Sequence, residues 1–235
     1  MKILKRYLNR VYRATEDLNK RAILDIIEPR PGGRFLDCGC GDGEFTRQLA
    51  DRARVAEAWG VETVEHRAVA AEGRGIRVAR ADLNERLPFD DGYFDIVHAN
   101  QLLEHLHGTD DFLREVRRLV KPGGYVLLST NNLASWHNVI SLVLGMQPPP
   151  MHVSSEVIVG NVIDPYRNTK FGSREDSHLR IFSFQALADL CRYHGFQVEV
   201  LRTAGYYPLP PALARVLAAI DRRHGVFLIA RLARA

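Results

Sequence analysis

A glycine-rich turn is the part of the sequence best suited to bind a small ligand. Gly39, Gly41 and Gly43 occupy alternate positions directly after the short predicted strand 35–38. Such glycines tolerate positive φ and let the backbone approach a ligand closely. A helix that begins after the turn would also offer unpaired N–H groups to an anionic group. Glu44 stands where a dinucleotide-binding fingerprint has its third glycine, so the spacing disfavours a nicotinamide cofactor.

Acidic residues accompany this turn at the ends of predicted strands. Asp37 precedes the turn on the same strand, and Glu62 and Asp82 end the next two strands. An acid in the position of Glu62 can bridge two ribose hydroxyls. Asp82 can accept a hydrogen bond from an adenine amino group, with Leu83 packed on the ring. Because open parallel sheets bind ligands at the carboxyl ends of their strands, these residues predict a ligand site at that edge.

Alternating strand and helix patterns must position these residues. The patterns predict the following strands: 35–38, 58–62, 76–82, 94–100, 125–130, 196–201 and 226–230. They predict the following helices: 44–52, 66–72, 110–120, 136–146, 185–193 and 211–222. Strands that alternate with helices indicate right-handed crossovers and a mostly parallel sheet with helices on both faces.

Two further segments complete a single predicted domain over residues 1–235. Residues 1–28 predict N-terminal cap helices, with one amphipathic run over 2–13 and a second that ends at Pro29. Residues 131–180 interrupt the strand–helix rhythm after the fifth strand. Loops of that length inside a compact domain are usually lids or binding elements, so this insertion predicts a lid over an acceptor site.

Composition limits the classes of protein to which the chain can belong. It has 235 residues, of which 46% are hydrophobic and 26% charged, with a formal net charge of +4. This composition is globular, and the charge permits anionic partners without requiring them. Three cysteines are too few for a disulfide scaffold, which favours a cytoplasmic location. Their spacing is also not that of a zinc-binding site. No apolar run reaches the length of about 18–20 residues that a membrane span needs.

These motifs, taken in order, resemble the class I S-adenosylmethionine-dependent methyltransferases. The resemblance extends from about residue 33 to residue 130 and continues more weakly to the C-terminus. It rests on the motifs LDCGCGDG at 36–43, GVE at 60–62, ADL at 81–83, LPFDDGYFD at 87–95 and LVKPGG at 119–124. One glycine turn alone would be weak support, whereas an ordered set at the spacings of the family is specific.

The resemblance implies a fold, a cofactor and a set of contacts. The fold is a three-layer, doubly wound α/β sandwich with a mostly parallel seven-stranded sheet whose last strand is antiparallel. The cofactor is S-adenosylmethionine. The residues expected to bind it are Asp37, Cys38, Gly39, Gly41, Gly43, Glu62, Thr63, Asp82, Leu83 and Asn100.

Histidines are the candidate catalytic bases. His178 is the first candidate because it lies where the lid returns to the sheet, and His105 is the second. For each of them, a purely structural role remains the alternative, and His98 is expected in the core. The pair Glu104–His105 resembles a motif of ubiquinone-pathway O-methyltransferases in which an additional upstream acid helps to bind a divalent metal. Gln101 stands in the place of that acid, so no metal is expected.

The acceptor is indicated only by a softer resemblance. Residues 130–138, 144–148 and 178–183 are similar to bacterial methyltransferases of cell-surface glycan and lipid-linked sugar biosynthesis. A small or lipid-linked acceptor with a hydroxyl target is therefore expected, and no stable nucleic-acid partner. The alternatives are an RNA methyltransferase and a non-catalytic protein that binds S-adenosylmethionine.

The basic amphipathic run 2–13 has two interpretations. Such a helix can lie on an anionic bilayer, which would make the protein peripheral to the inner face of the membrane. In the other interpretation, its apolar side covers the sheet or the cofactor, as N-terminal helices of this family commonly do.

Overall fold

The computed structural model describes residues 2–173 and 176–234, without the side chains of residues 2–4 and 219. Its helices are α1 (Lys2–Ile26), α2 (Glu44–Ala53), α3 (Glu65–Glu72), α4 (Thr109–Leu119), α5 (Trp136–Val143), α6 (Phe184–Tyr193) and α7 (Pro211–Ile220). Its strands are β1 (Arg34–Cys38), β2 (Glu57–Val61), β3 (Arg77–Ala79), β4 (Phe94–Asn100), β5 (Val120–Asn131), β6 (Phe196–Ala204) and β7 (Phe227–Arg234).

The strands form one seven-stranded sheet in the order β3-β2-β1-β4-β5-β7-β6. The five neighbours from β3 to β5 pair in parallel. Strand β7 lies antiparallel between β5 and β6. The expected mostly parallel sheet with an antiparallel last strand is therefore confirmed.

Helices pack on both faces of this sheet and form two apolar layers. On one face, α4 and α6 bury Phe112, Leu113 and Leu187 against the sheet. On the other face, the apolar sides of α1 and α2 bury Ile23 and Leu49. Successive residues of β5 point to opposite layers, as the period of two in a strand requires. Burial of both faces explains why this strand is almost continuously apolar.

The N-terminal segment forms one helix where the sequence predicts two. Helix α1 runs without a break for 25 residues, so the expected boundary between two cap helices is wrong. The polar residue Thr15 lies in the middle of the segment but is buried, and its hydroxyl donates to the Val11 carbonyl within the helix. A polar side chain that is satisfied inside the helix interrupts the apolar pattern without interrupting the helix.

Strand β3 is shorter than the predicted strand 76–82. The chain leaves the sheet after Ala79, whose carbonyl accepts the N–H of Glu62. Arg80 then turns outwards and pairs with Glu65 and Glu72. The acid Asp82 consequently lies on an exposed loop beyond the strand and not at its last position.

The insertion after β5 leaves and rejoins the sheet at neighbouring points. Asn132 forms a parallel bridge with Phe182, and the Leu133 N–H donates to the Phe182 carbonyl at 2.8 Å. Helix α5 ends at Val143, three residues before the predicted end. The chain between α5 and α6 has little regular structure, with one antiparallel bridge between Val157 and Lys170. Both ends of the insertion thus lie at the carboxyl end of β5.

Candidate functional site

The glycine turn joins β1 to α2 at the carboxyl edge of the sheet. Gly39, Gly41 and Gly43 all have positive φ, at 77°, 55° and 80°. A Cβ atom added to Gly41 would meet nothing within 4 Å, and one added to Gly39 would meet only Leu102, at 3.8 Å. A Cβ atom on Gly43 would lie 2.9 Å from the Ala71 Cα atom. The first two glycines therefore border open space that fits a ligand, and the third allows close packing on α3.

Glu62 connects this turn with the end of β2. One carboxylate oxygen accepts the Gly41 N–H at 3.0 Å, and the other accepts the Val64 N–H at 2.8 Å. Its side chain is almost buried, whereas the following residue, Thr63, is exposed. The bonds hold the carboxylate beside the open space next to Gly41, which agrees with a contact to a cofactor ribose. For Thr63, the expected contact stays a prediction.

Asp37 and Cys38 face the interior. The carboxylate of Asp37 accepts the Thr46 hydroxyl at 2.5 Å and lies 2.7 Å from the His98 Nδ1 atom. The two carboxylate oxygens of Asp37 thereby connect β1 with α2 and with β4, so Asp37 stabilises the glycine turn from the interior of the protein. The side chain of Cys38 lies in the apolar core, where burial raises the pKa of its thiol, so only its backbone can face a ligand. His98 is buried, as expected.

Asp82 and Leu83 lie on the loop that follows β3. The Asp82 carboxylate accepts both the N–H and the side-chain amide of Asn84, at 2.8 and 2.9 Å. Leu83 packs against the apolar layer that contains α4 and α6. This local turn fixes the loop beside the sheet edge, where an acid and an apolar side chain suit an adenine ring. Their contact with the cofactor stays a prediction.

Asn100, at the end of β4, is held by a side chain of the N-terminal helix. The buried Asn19 donates its side-chain amide to the Asn100 side-chain oxygen at 2.8 Å and accepts the Ser129 hydroxyl at 2.8 Å. The next residue, Gln101, has a φ of 51°, which is uncommon for a residue other than glycine. Its N–H donates to the Ser129 carbonyl. Helix α1 thus helps to shape the carboxyl edge of the sheet.

Glu104 lies at the candidate site, although the sequence indicates no role for it beyond the motif that it forms with His105. It is fully buried, and its carboxylate accepts the Thr130 hydroxyl at 2.8 Å and the Asn131 side-chain amide at 2.9 Å. Its backbone carbonyl accepts the Leu179 N–H at 2.7 Å, which connects it with the returning end of the insertion 131–180, the predicted lid. Burial raises the pKa of this carboxyl group.

The predicted lid brings His178 next to His105, and the catalytic role of each stays a prediction. Their ring centres are 4.8 Å apart, and the ring of His152, also from the lid, stacks on His178 at 4.5 Å. His178 Nδ1 lies 2.9 Å from the Pro150 carbonyl, so this nitrogen carries the proton and Nε2 is the acceptor. The His178 N–H donates to His152 Nδ1 at 2.9 Å. No sequence pattern points to His152, because its partners Phe171 and His178 lie 19 and 26 residues further along the chain.

Burial keeps two of these imidazoles neutral. It lowers the pKa of His178 to about 3, an effect that His105 and His152 reinforce. It lowers the pKa of His152 to about 4, to which His105 also contributes. Both imidazoles are consequently uncharged at neutral pH, with one ring nitrogen protonated and the other free to accept. One ligand atom each of Glu104, His105 and His178 lies within 4.8 Å of the others, so this group could hold a metal ion. The expectation of no metal stays a prediction.

A cavity of about 420 Å³ lies under the lid. Asn131 and His178 form part of its wall, beside the buried Glu104. The remaining wall is mostly apolar and comes from α1, α5, the lid and the segment before α7. Its polar members include His137, whose Nδ1 atom has no hydrogen-bond partner among the described residues. Burial lowers the pKa of His137 to about 4, so this imidazole is also neutral. Such a cavity suits a largely apolar acceptor.

The structure also bears on the expected membrane contact through residues 2–13. Within this segment, Leu8 and Val11 are buried and face the molecule. The part of the apolar side that contains Leu8 and Val11 is therefore occupied inside the molecule, and the expected contact of this segment with a membrane stays a prediction. The side chains of residues 2–4 lie outside the described residues. Among the described helices, none combines the length and the hydropathy needed to cross a membrane.

Comparisons with known proteins agree with this geometry. A family model described as a methyltransferase domain matches residues 6–201. The ubiquinone/menaquinone biosynthesis C-methyltransferase UbiE of Burkholderia mallei (strain SAVP1) is 29% identical over 182 residues. That match covers 74% of this chain and 65% of the relative, so the chain corresponds to less than two thirds of its length.

Solved structures show the same fold. An S-adenosylmethionine-dependent methyltransferase from Mesorhizobium loti superposes with a TM-score of 0.60 at 21% identity, over 91% of this chain and 96% of that one. Geranyl diphosphate C-methyltransferase from Streptomyces coelicolor A3(2), solved with Mg²⁺, geranyl diphosphate and S-adenosyl-L-homocysteine, gives a TM-score of 0.61. It is 14% identical, over 94% of this chain and 81% of that one.

The sheet order, the open glycine turn and the family match all agree with the motifs. The family model spans most of the chain, from residue 6 in α1 to residue 201 in β6. The expected cofactor, S-adenosylmethionine, is confirmed by these relatives. The chain therefore belongs to the methyltransferase domain family, within the class I S-adenosylmethionine-dependent methyltransferases.

Proposed function

We propose that this protein transfers the methyl group of S-adenosylmethionine to a hydroxyl of a small or lipid- or sugar-linked acceptor. The observation that carries the proposal is the cavity under the lid, whose wall contains His178 and Asn131. Both residues border the carboxyl edge of the sheet, where the open glycine turn also lies. An acceptor in the cavity would therefore approach the cofactor from the side of β4 and β5.

The bound cofactor supplies a methyl group that is already activated, because it is attached to a sulfonium. The chain has to position the acceptor and keep water away. Ile140, Leu144 and Ile163 in the cavity wall supply apolar surface for this purpose. The neutral state of the nearby imidazoles adds no charge that would draw in water.

His178 is the group best placed to take the proton of an acceptor hydroxyl. Its Nδ1–H is fixed on the Pro150 carbonyl, which leaves Nε2 as the proton acceptor. A pKa of about 3 makes it a weak base before reaction, and a hydroxyl becomes strongly acidic as it gains the methyl group. The neighbouring Glu104, when ionised, would stabilise the imidazolium that forms.

A carbon acceptor is the second candidate. The Burkholderia relatives are named C-methyltransferases of ubiquinone and menaquinone biosynthesis, and the largely apolar wall suits a ring or an isoprenoid chain as well as a lipid-linked sugar. A carbon nucleophile needs no proton acceptor for attack, but it needs one afterwards. The two candidates therefore share the predicted site and differ in the product.

A transfer assay tests the proposal. The protein is incubated with methyl-labelled S-adenosylmethionine and a cell extract, and the label is partitioned among lipid, small polar, protein and nuclease-sensitive fractions. Label in the lipid or small polar fraction supports the proposal, and NMR of the product separates O–CH₃ from C–CH₃. Label in the nuclease-sensitive fraction would favour the RNA alternative. Cofactor binding without transfer to any fraction would favour the non-catalytic alternative.

Replacement of His178 tests its role in that assay. We expect His178→Asn to lower turnover by about 10²–10⁴-fold while the affinity for S-adenosylmethionine changes little, because His178 lies on the acceptor side. His66→Asn is the matched control, since His66 is exposed on α3. Turnover of the His178 variant close to that of the wild-type protein would leave this histidine a structural role only.

A further inference from the structure

Helix α7 exposes most of its large apolar residues and buries a small one. Leu213, Val216 and Ile220 recur at helical spacing, and their side chains are 54%, 60% and 79% exposed. Ala214, on the opposite side, is buried. A surface helix of a globular protein normally buries its large apolar residues and exposes its polar ones. The orientation of α7 is therefore inverted.

Helix α5 and the residue that follows it show the same inversion. The helix buries Asn138 and Ser141, whose side-chain amide and hydroxyl donate to the carbonyls of Asn132 and His137. Ile140, Val143 and Leu144 are 54%, 80% and 59% exposed. Two inverted elements in one molecule indicate that an apolar environment outside the chain covers them.

The two elements are neighbours and lead to the cavity. The Trp136 ring, at the start of α5, stacks on His224 beyond the end of α7, with ring centres 4.5 Å apart. Its indole N–H donates to the Asp221 carboxylate at 2.7 Å. Ile140 and Leu144 are exposed and also line the cavity. The exposed apolar surface of α5 therefore continues into the cavity, and α7 ends beside the start of α5.

Exposed large apolar side chains are rare elsewhere on the described chain. Outside α5, residue 144, α7 and the lid segment 153–166, they are Val69, Leu179 and Tyr193. Single residues of this kind are normal on a protein surface. A concentration around one cavity mouth marks an interaction site.

Basic side chains border the same region. Lys5, Arg6, Arg10 and Arg13 are exposed on the first half of α1. Leu8 and Tyr12 of the same helix line the cavity, so these basic residues lie on an element that borders it. An anionic surface next to the apolar elements would meet these charges.

We propose that the α5–α7 face, defined as Leu142, Val143, Leu213, Val216 and Ile220, docks on an anionic lipid bilayer. A bilayer offers both an apolar phase for the inverted helices and a negative surface for the basic residues of α1. The cavity mouth then faces the membrane. If the proposed function holds, a lipid-linked acceptor can enter the cavity directly from the bilayer. The docking itself does not depend on that function.

Vesicle sedimentation tests the docking. The full chain is mixed with phosphatidylglycerol–phosphatidylethanolamine vesicles and, separately, with phosphatidylcholine vesicles. We expect binding to the anionic vesicles that weakens at high salt. The double variant Val143→Asp/Ile220→Asp should bind them at least about tenfold less tightly, because two apolar contacts become like charges facing the membrane. Neither residue lines the cavity.

The matched control is Val69→Asp/Tyr193→Asp, which makes the same change of charge at exposed apolar residues on α3 and α6. It should bind the vesicles like the wild-type protein. Titration with S-adenosylmethionine shows that both variants are folded, and it separates this test from methyl transfer. Absence of wild-type binding to anionic vesicles, or equal binding by the two double variants, overturns the proposal. So does a wild-type dimer that Val143→Asp/Ile220→Asp dissociates, since the face would then contact a second copy.

Discussion

Glu62 shows how single residues prepare the cofactor site. Its carboxylate accepts two backbone N–H groups, from Gly41 on the turn and from Val64 before α3. These bonds hold the carboxylate in place before any ligand binds, which reduces the conformational entropy that binding would otherwise cost. The residue therefore organises the turn, and its expected contact with the ribose hydroxyls of the cofactor stays a prediction.

Replacement of Glu62 by glutamine should weaken cofactor binding strongly. The amide keeps the size of the side chain, but its NH₂ group cannot accept one of the two N–H groups. Hydrogen bonds to charged groups contribute about 1.5–3 kcal/mol, so we expect the affinity for S-adenosylmethionine to fall roughly 10–100-fold. Isothermal titration measures it. The control is Glu57→Gln at the other end of the same strand, and an affinity of Glu62→Gln equal to that of the control would contradict the prediction.

Residue types and spacing are enough to predict the glycine turn and to single out Glu62 as a ligand-binding candidate. A tight turn needs glycine, whereas a strand does not need an acid at its end, so an acid there points to another role. The same reasoning could not find the buried position of Glu104. Its partners, Thr130 and Asn131, follow 26 and 27 residues later and meet it only because β4 and β5 pair. A lone glutamate in sequence looks like a surface residue, and only the tertiary structure reveals its desolvation.

At the level of secondary structure, α1 contributes to the site as well as to the core. Its apolar side packs on the sheet, and Asn19 extends from it to the carboxyl ends of β4 and β5. The sequence predicts the helical character of this segment but not the role of Asn19. The helical periodicity of apolar residues cannot explain a polar residue on the apolar side. Its role becomes clear only when its partners on other elements are known.

Removal of the Asn19 side chain should destabilise the protein and loosen the site. Asn19→Ala removes the donor to the Asn100 side-chain oxygen and the acceptor of the Ser129 hydroxyl, which costs about 1–3 kcal/mol of unfolding free energy. Denaturant unfolding measures this loss, and cofactor affinity should fall as well because Asn100 is no longer fixed. Asp17→Ala, at an exposed position of the same helix, serves as control. Equal stability of the two variants would rule out a role for the Asn19 contacts.

At the scale of the whole molecule, the lid joins distant parts of the chain around buried imidazoles. His137 comes from α5, and His152 and His178 come from the irregular segment beyond it. The sequence predicts a lid from the broken rhythm after β5. It could not predict which lid residues meet, because without regular periodicity no spacing relates one position to another. The enclosure by the lid keeps the three histidines neutral, since burial disfavours the charged form.

Because the histidines are enclosed, the unfolding free energy of the protein should depend on pH at values of about 6, where most carboxylates are already ionised. Unfolded histidines have a pKa of about 6.5, whereas burial lowers the pKa of His178 to about 3 and those of His137 and His152 to about 4. As pH falls below about 6.5, the unfolded chain binds protons that the folded chain does not. Each neutral histidine therefore contributes its full stabilisation above pH 6.5. This contribution declines as the pH falls towards the pKa that the histidine has in the folded protein. The raised pKa of Glu104 acts in the opposite direction, because its contribution is largest at low pH.

Denaturant unfolding at a series of pH values between about 7 and 5 tests this effect. We expect the wild-type unfolding free energy to decrease as pH falls over this range. His178→Asn should lose less stability over the same interval, by on the order of 1–2 kcal/mol, because one of the titrating groups is gone. His66→Asn, which removes an exposed imidazole, should keep the wild-type slope. A slope for His178→Asn that matches the wild-type protein would mean that water reaches His178 and that the lid does not enclose the cavity.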